Sequence, residues 1–199
     1  SWTYTASGAV ITAKCGICSA SGGSVTIAAP AELTYNGSGK AAVVTASNDW
    51  QGPAVNGITV SYTKTGTYGP EKLENGALPT GADTYTASIT VKNADASVED
   101  ATASVAYTIT PATLTITDAE VENKTYDGTP DATVTAVTFD GLVEGDSLTL
   151  GTDFTATGVF KSANASYNTQ PVTVTVSLAD SVKNYTLGKS TFVKQYCMI

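Results

Sequence analysis

Cys15-Gly16-Ile17-Cys18 is the closest pairing of reactive side chains in the sequence. Two thiols at this spacing can close a local disulfide, supply half of a metal site or exchange electrons. A structural zinc site wants four Cys or His ligands. The chain has no histidine, and Cys197 is its one other cysteine, so zinc would need ligands from neighbouring chains. Thioredoxin-like chemistry places the pair at a helix N-terminus in an α/β pattern, which is missing here. A disulfide between Cys15 and Cys18 closing a hairpin tip is the favoured reading, with free thiols next; an oxidising compartment favours the former. Cys197 is expected as a free thiol on a terminal tail.

Two further groups invite binding chemistry. Asp140, Glu144 and Asp146 gather carboxylates of the kind calcium uses, without EF-hand spacing. Solvated loop charges are the favoured reading, because acidic residues default to exposed turns. Trp50, Tyr62 and Tyr68, with Trp2, are the aromatics able to stack on a sugar. Packing in a core or between modules is the favoured reading, because tryptophan is usually well buried. A Ser-His-Asp triad is excluded by the missing histidine, and no motif supports a Ser-Lys variant. Paired-carboxylate hydrolysis needs a shaped cleft. No Lys-Asn or Lys-Asp pair stands out for an isopeptide staple. No catalytic residue, bound metal or cofactor is therefore expected.

The elements that would carry these residues are strands. Thr and Val are frequent and suit a pleated surface. No long 3.6-residue stripe appears, which argues against helices. Val172-Thr173-Val174-Thr175-Val176 alternates cleanly and predicts valines inward. The net charge is -8 and the pI about 4.3, and all ten cations are lysines. Nucleic acid and anionic membranes need a basic footprint that is missing here. No apolar run is long enough for a transmembrane helix. Ser1-Trp2-Thr3-Tyr4 lacks the features of a signal peptide, so a secreted parent has shed its leader or the chain is a fragment.

One segment occurs twice. Leu33-Thr34-Tyr35-Asn36-Gly37 is answered by Lys124-Thr125-Tyr126-Asp127-Gly128, each after a β-rich run. Asn-Gly or Asp-Gly supplies the positive φ of a tight turn. Tyr35 and Tyr126 are each expected to lay a ring on the core with the hydroxyl near a partner. Recurrence at domain-sized spacing predicts modules in series. The expected layout is an N-terminal β-hairpin over 1–24, a β domain over 25–110, a second over 111–194 and a tail over 195–199. Pro111 marks the boundary, and its short joint predicts a semi-rigid pair. The connection over 65–81 is long, and Asn56-Gly57 reads as a hairpin signal.

Lys124-Thr125-Tyr126-Asp127-Gly128-Thr129, Gly141-Leu142-Val143-Glu144-Gly145-Asp146 and Lys183-Asn184-Tyr185-Thr186-Leu187 resemble the YDG-type repeat of bacterial surface proteins. Leu33–Gly37, Gly81-Ala82-Asp83-Thr84-Tyr85-Thr86-Ala87 and Tyr107-Thr108-Ile109 make the first half similar to the sister MBG group, with Asn36 departing from Asp. The resemblance implies an all-β chain of tandem Ig-like sandwiches, extracellular and adhesin-like, with no catalytic residues to transfer; β-grasp-like modules are the alternative fold. The implied role is a non-enzymatic spacer presenting a distal part, monomeric within a longer array. The alternative is a carbohydrate- or host-ligand-binding module, with host or cell-wall glycans or other surface proteins as partners.

Overall fold

The computed structural model describes residues 1–66, 69–165 and 168–198, and Tyr68 lies outside them. Among these residues it is all-β, with a single 3-10 turn at Val55–Gly57 and no α-helix. The chain divides into two compact units, Ser1–Thr110 and Pro111–Ile199.

In the first unit, β1 (Trp2–Ser7), β2 (Val10–Cys15), β3 (Ser21–Ala28) and β4 (Val43–Ala46) form an antiparallel sheet in that order. A second sheet holds β5 (Val60–Gly66), β6 (Gly69–Lys72), β7 (Asp83–Val91) and β8 (Ala101–Ile109), in the order β6-β5-β7-β8. Alternation assigns the faces: Ile11, Val25, Ile27, Ala87, Ile89, Ala103 and Ile109 are buried. Threonines between them pair across strands on the outer face, as Thr84 with Thr108 at 3.0 Å and Thr90 with Thr102 at 2.9 Å. The hairpin β1–β2 is not a separate element, because β2 pairs with β3 and β1–β3 pack against β8. Its outer edge is closed by Asn93. That side chain accepts the Tyr4 N–H at 2.8 Å and donates to the Tyr4 carbonyl at 3.1 Å, satisfying edge groups that would otherwise invite another strand.

The second unit contains β9 (Ala112–Val121), β10 (Asp131–Ala132), β11 (Val134–Asp140), β12 (Phe154–Phe160), β13 (Gln170–Leu178), β14 (Tyr185–Leu187) and β15 (Thr191–Cys197). Its sheets run β11-β9-β14 and β10-β12-β13-β15, with β14 parallel to β9. Val172, Val174 and Val176 are buried as their alternation predicts, beside Phe154, Phe160 and Ile116. Phe139 meets Phe154 edge-on at 5.1 Å.

Two expectations fail for physical reasons. The tail over 195–199 is largely the end of β15, which pairs with β13 up to Gln170↔Cys197. Cys197 is 3% exposed in the core, because β13 needs a partner on its far side. Asn56-Gly57 makes no hairpin: β4 and β5 belong to different sheets, and the dipeptide lies in the 3-10 turn between them.

Candidate functional site

The duplicated segment is the site that residue types select in both units. Its turn is the same device twice. Asn36 Oδ1 accepts the Ser38 N–H at 3.0 Å, and Asp127 Oδ1 accepts the Thr129 N–H at 2.8 Å. The glycine that follows takes a left-handed conformation in each, φ 75° at Gly37 and 82° at Gly128. An L side chain resists that region, so glycine is what the turn requires.

Both turns hold a lysine, by different routes. Lys124 precedes its turn. Its ammonium meets Asp127 Oδ1 at 2.7 Å and donates to Thr129 O, Thr129 Oγ1 and Asp131 O. With Lys124 and the Thr129 N–H beside it, Asp127 is held down to about pKa 2. Lys40 follows its turn and is only 5% exposed. Asn36 carries no charge, so the anion comes from Glu32, which pairs with Lys40 and accepts from Asn36 Nδ2 at 3.2 Å. Lys40 and the Thr34 N–H lower the Glu32 pKa.

Each segment is tied to the exit of its unit's last strand. Tyr35 N–H donates to Thr110 O at 2.8 Å and Thr110 N–H to Leu33 O at 2.7 Å, a parallel bridge just beyond β8. In the second unit Lys124 N–H donates to Met198 O at 3.1 Å, and Met198 N–H donates to Asn123 Oδ1 at 3.0 Å, just beyond β15. Tyr35 lies buried, 9% exposed. Tyr126 does not: it is 58% exposed.

Buried tyrosines pin the loops around these turns. Tyr107 donates to Lys40 O at 2.9 Å, Tyr85 donates to Gly81 O at 3.0 Å, and Tyr62 accepts the Ala42 N–H at 3.0 Å. Burial raises the pKa of Tyr85 and Tyr107, which keeps both as neutral donors. Tyr185 does the same work in the second unit, donating to Asp146 Oδ2 at 2.5 Å and accepting the Val143 N–H at 3.0 Å.

The other expected sites fare differently. Tyr62 is core, 5% exposed, and is no sugar platform. Trp50 is half-buried; its ring centroid lies 5.6 Å from that of Tyr4, and its Nε1–H donates to Pro53 O at 2.9 Å. The Trp50 indole covers Gly52, and that of Trp2 covers Gly22; a Cβ at either glycine would collide with the ring. Tyr4 is thus the partner of Trp50, and the period-2 spacing of Trp2 and Tyr4 is the signal that reveals it. Asp140 and Glu144 are exposed, while Asp146 is committed to Tyr185. No group of three or more Cys, Asp or Glu able to hold a metal ion occurs among the described residues. Cys15 and Cys18 are free thiols. Sequence reasoning missed Glu32 and Lys40; their equal four-residue spacing on either side of Asn36 is the available signal.

No curated protein and no solved structure matches the chain. Residues 110–192 match the YDG domain family, so the second unit carries a YDG domain.

Proposed function

We propose that this chain is a non-enzymatic spacer region of a secreted or cell-surface bacterial protein, built from tandem Ig-like sandwich units that hold out an adhesive or other distal part. One observation carries the reading: in each unit the Asx-Gly segment bonds to the exit of that unit's own last strand. A pull on the chain ends loads those strands, and the bonds joining them to an earlier segment must shear together before the unit extends. The charged groups at these turns are spent within the turns, as the Lys40–Glu32 and Lys124–Asp127 pairs illustrate. The test is to stretch the full chain from its ends by force spectroscopy. Two discrete unfolding events, one per unit, support the spacer reading; smooth extension at low force defeats it.

A second reading has its own observation. The half-buried pair Tyr4–Trp50 forms an aromatic rim on the first unit, and such rims can stack on sugar rings. A glycan array that binds the chain, with the signal lost in Trp50→Ala, would favour a carbohydrate-binding module. A blank array would leave the spacer.

A further inference from the structure

The tip of the β2–β3 hairpin is organised around sulfur. Cys15 ends β2, and the chain turns through Gly16, Ile17 and Cys18 before β3 begins at Ser21. The turn is closed twice: Cys15 N–H donates to Ala20 O at 2.9 Å, and Ser19 N–H donates to Cys15 O at 3.0 Å. Ser19 takes φ 60°, a conformation uncommon for any residue but glycine, to let the chain leave the turn. Turns of this size hold residues three apart within about 7 Å. That is the Cα spacing a disulfide spans. The Cys18 N–H points at the Cys15 sulfur at 3.4 Å.

We propose that Cys15 and Cys18 form a thiol–disulfide exchange site, in which Cys15 attacks an external low-molecular-weight disulfide and Cys18 resolves the adduct by closing a disulfide across the hairpin tip.

The roles follow from the asymmetry of the pair. Hydrogen bonds from the Cys18 thiol, the Cys18 N–H and the Ile17 N–H all favour a negative sulfur at Cys15, whose pKa falls to about 7. The attacking species in such exchange is the thiolate. Cys18 is exposed and lies on the same turn, so it reaches a sulfur bonded to Cys15 without refolding of the hairpin. Cys197 is a built-in contrast: it is buried, and burial raises its pKa. Cys15 is half-buried and Cys18 exposed, so the tip is open to a small disulfide from solvent.

The step balances without a further reactant. Cys15 thiolate bonds to one sulfur of the external disulfide, whose S–S bond breaks and whose second half leaves as a thiolate. Cys18 releases its proton to solvent and bonds to the Cys15 sulfur, expelling the first half as a second thiolate. Two protein thiols are oxidised and one small disulfide is reduced to two thiols.

The reduced full chain is incubated with oxidised glutathione at neutral pH and followed by intact mass and peptide mapping. The wild type is expected to lose two hydrogens, release two glutathiones and carry a Cys15–Cys18 link. Cys18→Ser is expected to stop at one glutathione on Cys15. Cys15→Ser should consume the disulfide about fivefold more slowly than Cys18→Ser, since the hydrogen bonds aimed at the Cys15 sulfur raise its thiolate fraction by more than its lowered pKa reduces its intrinsic nucleophilicity. Cys197 should stay unmodified throughout, which also reports that the second unit remains folded. Equal rates for the two variants, a lasting glutathione adduct on the wild type, or modification of Cys197 alongside Cys15 would each overturn the proposal.

Discussion

The Tyr35-Asn36-Gly37 and Tyr126-Asp127-Gly128 segments have the same turn and opposite surroundings. In both, an Asx oxygen takes the N–H two residues on, and a left-handed glycine follows. Around the first turn the tyrosine and the lysine are buried, and the countercharge comes from Glu32, outside the turn. Around the second the tyrosine is exposed, and the turn's own aspartate is the countercharge. Local sequence therefore sets the backbone of such a motif, whereas the residues that flank it decide whether its side chains become core.

The same contrast holds at larger scale. β5-β7-β8 and β12-β13-β15 share one strand order, and the pairings β3–β4 and β9–β11 match. The units diverge at the other edge of β3 and β9. In the second unit the connection from β13 to β15 is long enough to send β14 across to pair with β9. In the first unit β7 and β8 are joined by a direct hairpin register, which leaves no such strand to spare. The β1–β2 hairpin fills the corresponding place beside β3. One open edge is thus covered from within the link of one unit and from the start of the chain in the other.

The largest expected effect tests the difference in burial. Tyr35→Ala should cost its unit about 3–5 kcal/mol, as aromatic truncation in a core does. Tyr126→Ala should change stability by no more than about 0.5 kcal/mol, as exposed substitutions do. Calorimetry on the full chain, reading the transition of the unit that carries each change, makes the comparison. Equal losses would mean that the two tyrosines share one role after all.

That difference was not legible in the sequence, whereas the turn was. Asn-Gly and Asp-Gly announce positive φ from two adjacent residues. The burial of Tyr35 depends on its bond to Thr110, a partner far along the chain. The alternation of Val172 to Val176 was readable because each residue's face is set by its immediate neighbours. β15 was missed because Lys194 and Gln195 break its apolar pattern. Lys194 is tolerated there because it pairs with Asp118 at 2.7 Å and lowers that carboxyl's pKa. The hairpin β1–β2 was visible as a hairpin, but its seat depends on Asn93 meeting Tyr4 across most of the unit. The thiol pair was visible too, but the polarisation of Cys15 comes from turn geometry.

An intermediate effect tests the likeness. Gly37→Ala and Gly128→Ala should each destabilise by about 1–2 kcal/mol, the cost of placing a Cβ in the left-handed region. Asparagine at either position should cost less, since its side chain tolerates that region. The two copies should respond alike under urea titration. A loss confined to one copy would break the equivalence of the turns.

The smallest effect concerns the two carboxylates. Asp127 has a folded pKa of about 2, below its ordinary value of 3.8. A depressed carboxylate contributes stability that is fully present above the unfolded pKa and is lost as pH falls through the folded one. The second unit should therefore weaken between about pH 4 and pH 2, and Asp127→Asn should flatten that limb. Glu32 follows the same sign in the first unit, because Lys40 and the Thr34 N–H lower its pKa. The two neutralising changes should still differ at pH 7. Lys124 keeps three uncharged oxygens when Asp127 loses its charge, whereas Glu32→Gln leaves Lys40 buried beside a neutral amide. A buried charge stripped of its counterion is the costlier state, so Glu32→Gln should destabilise more than Asp127→Asn in denaturant titrations. The reverse order would mean that burial does not separate the two turns.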